Sequence, residues 1–297
     1  MGGAPLCSIA RGGHEEKRAQ NVMGNSFSML IVSGAVLMML CLIFKRPILY
    51  LFGASSDTFS YADQYITIYL IGTLFVMTSL GMNNFINAQG FGRMGMLTVL
   101  LGAVMNIILD PVFIFVFGLG VRGAAIATVI SQGASAVWVL RFLTGKKALL
   151  RLTRESLKLN FPLVKEITLL GTSGFVMSVT NGTVQIVCNA VLARHGGDLY
   201  VGIMTVINSV REIITMPVTG LTSGAQPVIG YNYGAGCYKR VKSAIKFMTA
   251  GCIIFSVVMW AVLFFEPRFF LHLFTREQEL IANGISAMRI YFCGIFM

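Results

Sequence analysis

Charged residues are scarce in this chain of 297 residues, at 12%, while hydrophobic residues make up 56% and the mean hydropathy is +0.76. Ordinary soluble domains carry about twice that charged fraction. A soluble helical bundle would also need a polar stripe along each helix, where this chain has continuous apolar runs. The sequence therefore predicts an all-α membrane protein whose main partner is the lipid bilayer.

Acidic residues are fewer still: 12 Asp and Glu stand against 23 Lys and Arg, which gives a net charge of +11. A positive charge of this size raises the question of nucleic-acid binding, which needs one continuous basic face or arm. Here the basic residues lie in short connectors between apolar runs. We therefore expect no nucleic-acid partner.

Motifs of enzyme chemistry are also missing from the sequence. It contains no phosphate-binding loop, no paired catalytic carboxylates and no nucleophile elbow, and its six cysteines form no C-x-x-C pair. We expect no catalytic residue, no cofactor and no use of ATP, so the chain is not predicted to be an enzyme.

Long apolar runs are what the chain has in abundance. A helix needs about 20 such residues to cross roughly 30 Å of hydrocarbon. Glycine and proline separate the runs, as at Gly90, Gly118 and the pair Gly196 and Gly197. The sequence predicts eight membrane spans, near residues 27–44, 64–86, 94–117, 123–143, 167–192, 199–222, 243–265 and 281–297.

A polar segment at residues 144–166 divides these spans into two groups. We predict an N-terminal lobe at residues 1–143, a linker at 144–166 and a C-terminal lobe at 167–297. Fifteen Lys and Arg residues lie on the side of the linker and six on the opposite side, while Arg211 and Arg289 fall inside spans. The positive-inside rule places the linker and the N-terminus in the cytoplasm.

The two groups of spans resemble each other at a spacing of 222 residues. Gly12, Lys17 and Arg18 reappear as Gly234, Lys239 and Arg240, and Ile68, Tyr69 and Gly72 reappear as Ile290, Tyr291 and Gly294. Such a spacing is typical of transporters built from parallel repeats. Two spans precede Gly234 and none precedes Gly12, so we expect the chain to be a fragment.

Asp110 is an acidic residue inside an apolar span, where a charge costs several kcal/mol and is a candidate for function. Asn106 lies four residues earlier on the same helical face, and Thr128 is expected at a similar depth on the next span. Pro111 removes a helical hydrogen bond and can free a backbone carbonyl beside the carboxylate. This oxygen-rich set is a candidate site for H⁺ or Na⁺; alternatively, Asp110 is a structural buried acid bonded to Asn106.

The second group of spans carries further polar residues. Asn208 and Glu212 share one helical face, next to Arg211, and they indicate either a lock between helices or a substrate site. Asn181, Gln185 and Asn189 recur every four residues. That stripe either lines a cavity or bonds neighbouring helices.

Two stretches resemble the multidrug and toxic compound extrusion (MATE) family, in its bacterial branch. The first is Asn-Ile-Ile-Leu-Asp-Pro-Val-Phe-Ile-Phe at 106–115, followed by 120–132 with Thr128. The second runs from Pro217 through Gln226-Pro227 to Gly236. The resemblance covers nearly the whole chain.

This resemblance implies a two-lobe bundle of twelve membrane-spanning helices around a cleft, of which this chain holds about eight, from the end of the second helix into the tenth. The family's first-lobe cation site matches Asn106, Asp110 and Thr128; its further Asp lies on the first helix, which precedes this chain. The candidate substrate cleft comprises Asn181, Gln185, Asn208, Glu212 and Gln226.

The function that the resemblance implies is secondary active efflux. A monomer in the bacterial cytoplasmic membrane would export amphipathic organic cations in exchange for H⁺ or Na⁺. An alternative is a flippase for lipid-linked oligosaccharides, from a related two-lobe family, which would line the cleft with several Arg or Lys to hold pyrophosphate. A third is a membrane scaffold, for which Asp110 would have no use.

Overall fold

The structure, a computed structural model, describes residues 2–51, 56–274 and 278–294, and the regular elements in this part are all helical. The predicted all-α class is therefore confirmed. The helices are α1 Gly3–Gly12, α2 Glu16–Ile43, α3 Lys45–Leu51, α4 Ser56–Ile71, α5 Thr73–Ala88, α6 Gly92–Pro111, α7 Gly120–Thr144, α8 Phe161–Gly234, α9 Tyr238–Phe265, α10 Pro267–Phe274 and α11 Gln278–Phe292.

Within the described residues, five helical stretches are long and apolar enough to cross a membrane: Glu16–Ile43, Gly92–Val116, Gly120–Thr144, Phe161–Leu192 and Tyr238–Phe265. A sixth span results if α4 and α5, bent by 54° where they meet near Gly72, count as one. Large apolar side chains on these helices point outward, such as Ile107 at 70% exposed and Phe247 at 81%. Because hydrocarbon solvates such side chains, the exposed faces fit a lipid environment.

Two of the eight predicted spans, near residues 199–222 and 281–297, are not among these stretches. Residues 199–222 belong to α8, whose helical hydrogen bonding continues from Phe161 to Gly234 past Gly196 and Gly197. Glycine weakens a helix by only about 1 kcal/mol and stops it only when polar or proline residues support the turn. The last predicted span is α11, which has 15 residues, and its expected end at 295–297 lies outside the described residues.

Helix α8 nevertheless doubles back. Its start lies against one end of α1, where Gly2 contacts Ile167 and Gly171, and its end lies against the other, where Gly12 contacts Tyr231. Helix α1 has 10 residues and is only about 15 Å long, whereas 60 residues of straight helix would measure about 90 Å. The chain therefore reverses between Gly171 and Tyr231, as two antiparallel spans require.

The chain forms two compact units. Unit 1 comprises residues up to Gly171 together with Gly230–Gly236, and unit 2 comprises Thr172–Ile229 and the residues from Cys237 onward. Each has its own buried core, with Met23, Met82 and Leu143 in unit 1 and Val210, Leu263 and Met288 in unit 2. The predicted lobe boundaries at 143 and 167 stay a prediction.

The segment predicted as a linker, residues 144–166, is part of unit 1 and packs against its helices. The side chain of Asn25, 1% exposed, donates to the carbonyl oxygens of Ser156 (3.3 Å) and Lys158 (3.1 Å) and accepts from the backbone N–H of Asn160 (2.7 Å). Gln89 accepts from the backbone N–H of Leu150 (2.9 Å). The basic side chains of the 144–166 segment are exposed, namely Lys146, Lys147, Arg151, Arg154, Lys158 and Lys165.

Helix α1 and the end of α8 make reciprocal glycine contacts. A methyl group at Gly12 would overlap the carbonyl oxygen of Tyr231, and one at Gly234 would overlap the carbonyl oxygen of Ile9. Both pairs, Ile9 with Tyr231 and Gly12 with Gly234, are separated by 222 residues. This is the contact pattern that two copies of a repeat make when they meet across a two-fold axis.

We predict that Gly12→Ala or Gly234→Ala destabilises unit 1. The added methyl meets backbone atoms, which cannot rotate away, and overpacking of this kind costs about 1–3 kcal/mol. Gly92→Ala is the matched control, because a methyl there has open space within 4 Å. Thermal unfolding in detergent measures the effect; equal midpoints for all three variants would contradict the close contact.

Candidate cation site and the first-unit cavity

The carboxylate of Asp110 lies on the face of α6 that carries Asn106. The Asn106 amide nitrogen donates to Asp110 Oδ1 at 3.1 Å and lies 3.5 Å from the hydroxyl oxygen of Thr128 on α7. The Thr128 hydroxyl donates to the carbonyl oxygen of Ala124 at 3.0 Å. The structure therefore brings the three predicted residues together, with the Asn106 amide nitrogen facing both the Asp110 carboxylate and the Thr128 hydroxyl oxygen.

Pro111 changes the helix directly after the carboxylate. Because proline has no N–H, the carbonyl of Ile107 loses its usual i+4 donor. The five residues Val112–Val116 then continue as a π-helix, in which the Phe117 N–H bonds to the Val112 carbonyl at 3.0 Å. Such π segments occur frequently at functional sites, because they re-aim side chains and leave carbonyls available.

The cluster adjoins a cavity of about 200 Å³ between α5, α6 and α7. Asn106 and Thr128 line this cavity. Asp110 is not among the lining residues, but it is hydrogen-bonded to Asn106. Asp110, Asn106 and Thr128 are all half-buried. The complete lining is Ser79, Leu80, Asn83, Thr98, Val99, Gly102, Ala103, Asn106, Thr128, Ser131, Gln132 and Ser135.

Eight of these lining residues are polar and none is charged, which distinguishes the cavity from the apolar outer faces of the same helices. Asp110 lies six residues from the end of the helical stretch at Val116 and 18 from its start at Gly92. It is therefore about halfway between the middle of the span and one of its ends.

Comparison with known proteins identifies the family. The MatE family model matches residues 1–112 and 175–297, which is most of the chain. The chain belongs to the MatE family. The family expected from the motifs around Asp110 and Gln226 is thus confirmed.

Curated relatives of this MatE chain include multidrug export proteins. MepA of Staphylococcus aureus strain NCTC 8325 is 27% identical over 277 residues, covering 92% of this chain and 60% of MepA. MepA of Staphylococcus haemolyticus strain JCSC1435 is 25% identical over 299 residues, covering 100% of this chain and 65% of that protein. The chain therefore spans about three fifths of the length of these relatives.

Solved structures of MATE transporters share the fold. The MATE multidrug transporter DinF-BH superposes with a TM-score of 0.91 at 35% identity, covering 99% of this chain and 66% of DinF-BH. An outward-facing MATE family transporter gives a TM-score of 0.92 at 21% identity, covering 99% and 66%. At that lower identity the likeness shows the fold alone.

Most of the cavity residues in this MatE chain escaped prediction from the sequence. Ser79 and Asn83 lie four residues apart on α5, and Ser131 and Ser135 lie four apart on α7. Repeated small polar residues on one face of an apolar helix are the signal that predicts them. Only the packing of three helices shows that the faces meet.

The predicted cleft residues of the second half all lie on α8 in unit 2, and none of them lines the first-unit cavity. Asn181, Gln185, Glu212 and Gln226 are exposed, and Asn208 is half-buried. The side chain of Asn189 lies outside the described residues. The structure does not bring these five residues into one site, so their role in the cleft stays a prediction.

The two basic residues inside predicted spans have neutral partners. Arg211 donates to the hydroxyl of Tyr291 on α11 at 3.3 Å, and Arg289 donates to the carbonyl of Phe264 at 3.3 Å with its guanidinium 5.5 Å from that ring centroid. Arg211 therefore bonds to a neutral hydroxyl, while the neighbouring Glu212 is exposed.

Proposed function

We propose that the protein is a secondary active antiporter that exports amphipathic organic cations in exchange for H⁺ or Na⁺. The observation that carries this proposal is the Asp110–Asn106–Thr128 cluster at a cavity, within apolar helices, whose lining includes eight polar residues and no charged one. A carboxylate in this position can hold a cation and release it when the helices move. The names of the curated relatives, multidrug export proteins, support the same function.

The cluster suits either coupling ion. Na⁺ needs several oxygen ligands: the Asp110 carboxylate and the Thr128 hydroxyl oxygen offer two, and a rotation of the Asn106 amide that turns its oxygen toward them would offer a third. The Ile107 carbonyl, without its i+4 donor because of Pro111, is available on the same helix. A proton needs only the carboxylate, so the same residue serves both ions and no further cofactor is required.

A cationic cargo agrees with the charges of the site. The cavity lining carries no basic residue, and Asn106 in that lining bonds to the acid Asp110. An amphipathic cation would reach such a site from a membrane, and the Lys and Arg distribution places the linker in the cytoplasm. We therefore propose a monomer in the bacterial cytoplasmic membrane that moves its cargo outward.

A lipid-linked oligosaccharide flippase is the competing function. It would need clustered, unpaired Arg or Lys to hold a pyrophosphate. Arg211 and Arg289 instead bond to Tyr291 and Phe264. A scaffold without transport would have no use for Asp110. The described residues therefore favour the antiporter.

The test is efflux of a fluorescent lipophilic cation from cells that express the complete open reading frame encoding this chain. We expect faster efflux and greater drug resistance than in cells with the empty vector, and a dependence on an imposed Na⁺ or H⁺ gradient. Efflux that equals the empty vector under both gradients would contradict the antiporter. Rescue of a strain that lacks a lipid-linked oligosaccharide flippase would instead support the competing function.

A further inference from the structure

The cavity extends from the cation cluster toward one end of the helices. Asn83 lies five residues before the end of α5, and Thr98 lies six residues after the start of α6. Ser135 lies nine residues before the end of α7. Counting about 1.5 Å per residue, these side chains are roughly 8–14 Å from the helix ends that the charge distribution places in the cytoplasm. We call Ser79, Asn83, Thr98, Ser131 and Ser135 the inner cavity residues.

The hydroxyl hydrogens of the inner cavity are used inside the protein. Thr98 donates to the Met94 carbonyl (3.0 Å), Ser131 to the Ala127 carbonyl (2.8 Å) and Ser135 to the Thr98 carbonyl (3.2 Å). Ser79 donates to the side-chain oxygen of Gln132 (2.7 Å). Each of these hydroxyl oxygens keeps lone pairs that can accept further hydrogen bonds.

Asn83 adds an acceptor that has no partner. Its side chain is 8% exposed, its amide nitrogen donates to the Gly95 carbonyl at 3.2 Å, and its Oδ1 is buried without a hydrogen bond. Buried polar atoms are nearly always paired, with protein or with ordered water. The inner cavity thus presents mainly acceptors, including one that requires a donor.

We propose that the inner cavity holds a chain of water through which the hydrated coupling cation passes between the Asp110 cluster and the cytoplasmic ends of α5, α6 and α7. This inference rests on the proposed antiport function. Water and hydrated H⁺ or Na⁺ supply the donors that the lining lacks. A volume of 200 Å³ has room for roughly six waters at about 30 Å³ each.

The charged groups near the path are Asp110 at its outer end and arginines at its inner end, where Arg93 and Arg141 are exposed. Arg11 is occupied there, since it donates to the Ala88 carbonyl at 2.8 Å. Salt screens exposed charges over about 8 Å at physiological ionic strength, so these arginines slow cation entry without blocking it.

Gly102 gives a direct way to obstruct the path. A methyl group at Gly102 would lie 2.6 Å from the hydroxyl oxygen of Ser135, so Gly102→Val fills the space between the Asp110 cluster and the inner cavity. Thr98→Val removes one acceptor oxygen at nearly constant volume, and Asn83→Leu removes the unpaired one. Gly133→Ala is the control, because its methyl touches only the Phe75 ring at 3.9 Å and Gly133 does not line the cavity.

The experiment uses purified protein from the complete open reading frame, reconstituted into proteoliposomes. One measurement is the Kd of a fluorescent lipophilic cation without a gradient, and the other is the rate of its exchange driven by H⁺ or by Na⁺. We expect exchange to slow by about tenfold in Gly102→Val and several-fold in Thr98→Val and Asn83→Leu, in each case by more than any change in Kd. If exchange is slowed with only one of the two ions, that ion is the one that uses the path.

Exchange at the parental rate in folded Gly102→Val and Asn83→Leu, with both ions, would overturn the water path. If Gly102→Val does not fold, the isosteric Thr98→Val decides in its place, and an unchanged rate there has the same meaning. Slowing of equal size in Gly133→Ala would also overturn it, because that variant leaves the cavity open. Absence of exchange in the parental protein would instead contradict the proposed function itself.

Discussion

Replacing Asp110 with Asn should reduce ion-coupled efflux to the level of cells without the transporter. Asparagine keeps the shape of the side chain, and its oxygen can still accept from Asn106 at the 3.1 Å position of Asp110 Oδ1. The substitution removes the charge that attracts Na⁺ and the group that binds H⁺. Efflux of a fluorescent lipophilic cation measures the loss, and an immunoblot of the membrane fraction shows that the protein is still present.

The matched control for Asp110→Asn is Glu155→Gln, which makes the same chemical change at an exposed position in the 144–166 segment. We expect parental efflux from this control. Efflux by Asp110→Asn at the parental rate, with unchanged pH and Na⁺ dependence, would reduce Asp110 to a structural acid bonded to Asn106.

Replacing Asn25 with Ala should destabilise unit 1 by about 3 kcal/mol or more. This side chain pairs with backbone groups of Ser156, Lys158 and Asn160, and each buried group left without a partner costs about 1–3 kcal/mol. Water can replace some of these bonds at the partly exposed positions. The midpoint of thermal unfolding in detergent measures the loss.

Asn84→Ala is the control for Asn25→Ala. Asn84 is exposed, and its amide donates to the Leu80 carbonyl one turn earlier at 3.2 Å, so its loss leaves no buried group unpaired. We expect a change within about 0.5 kcal/mol. If Asn25→Ala unfolds at the same temperature as Asn84→Ala, the 156–160 segment is not held by this side chain.

The helical periodicity explains why the cation cluster could be predicted. Asn106 and Asp110 are four residues apart, so they share a helical face wherever the helix lies. The depth of Thr128 follows from counting residues along α7 from the turn at Gly120, where that helix begins. These are local constraints, and the structure places the three side chains together as the count requires.

The inner cavity could not be predicted in the same way, because it depends on which faces of α5, α6 and α7 meet. Ser79 and Asn83 alone are compatible with a lipid-facing or a packed helix face. The packing of the linker could not be predicted either. Its sequence is polar, as in an exposed loop, and nothing in it indicates that its backbone bonds to the buried side chain of Asn25. A reversal was predicted at Gly196 and Gly197, and the structure requires one between Gly171 and Tyr231, although the helical hydrogen bonding continues through both glycines.

The most direct test of ion-coupled export is an imposed gradient in proteoliposomes that contain the complete protein. A fluorescent lipophilic cation is first equilibrated across the membrane, so that its concentration is equal on both sides. A gradient of H⁺ or Na⁺ is then imposed. We predict that the cation accumulates on the side from which the ion leaves, that this accumulation is lost when an ionophore dissipates the gradient, and that it is absent in Asp110→Asn. Accumulation that is unchanged by the ionophore, or equal in Asp110→Asn, would contradict it.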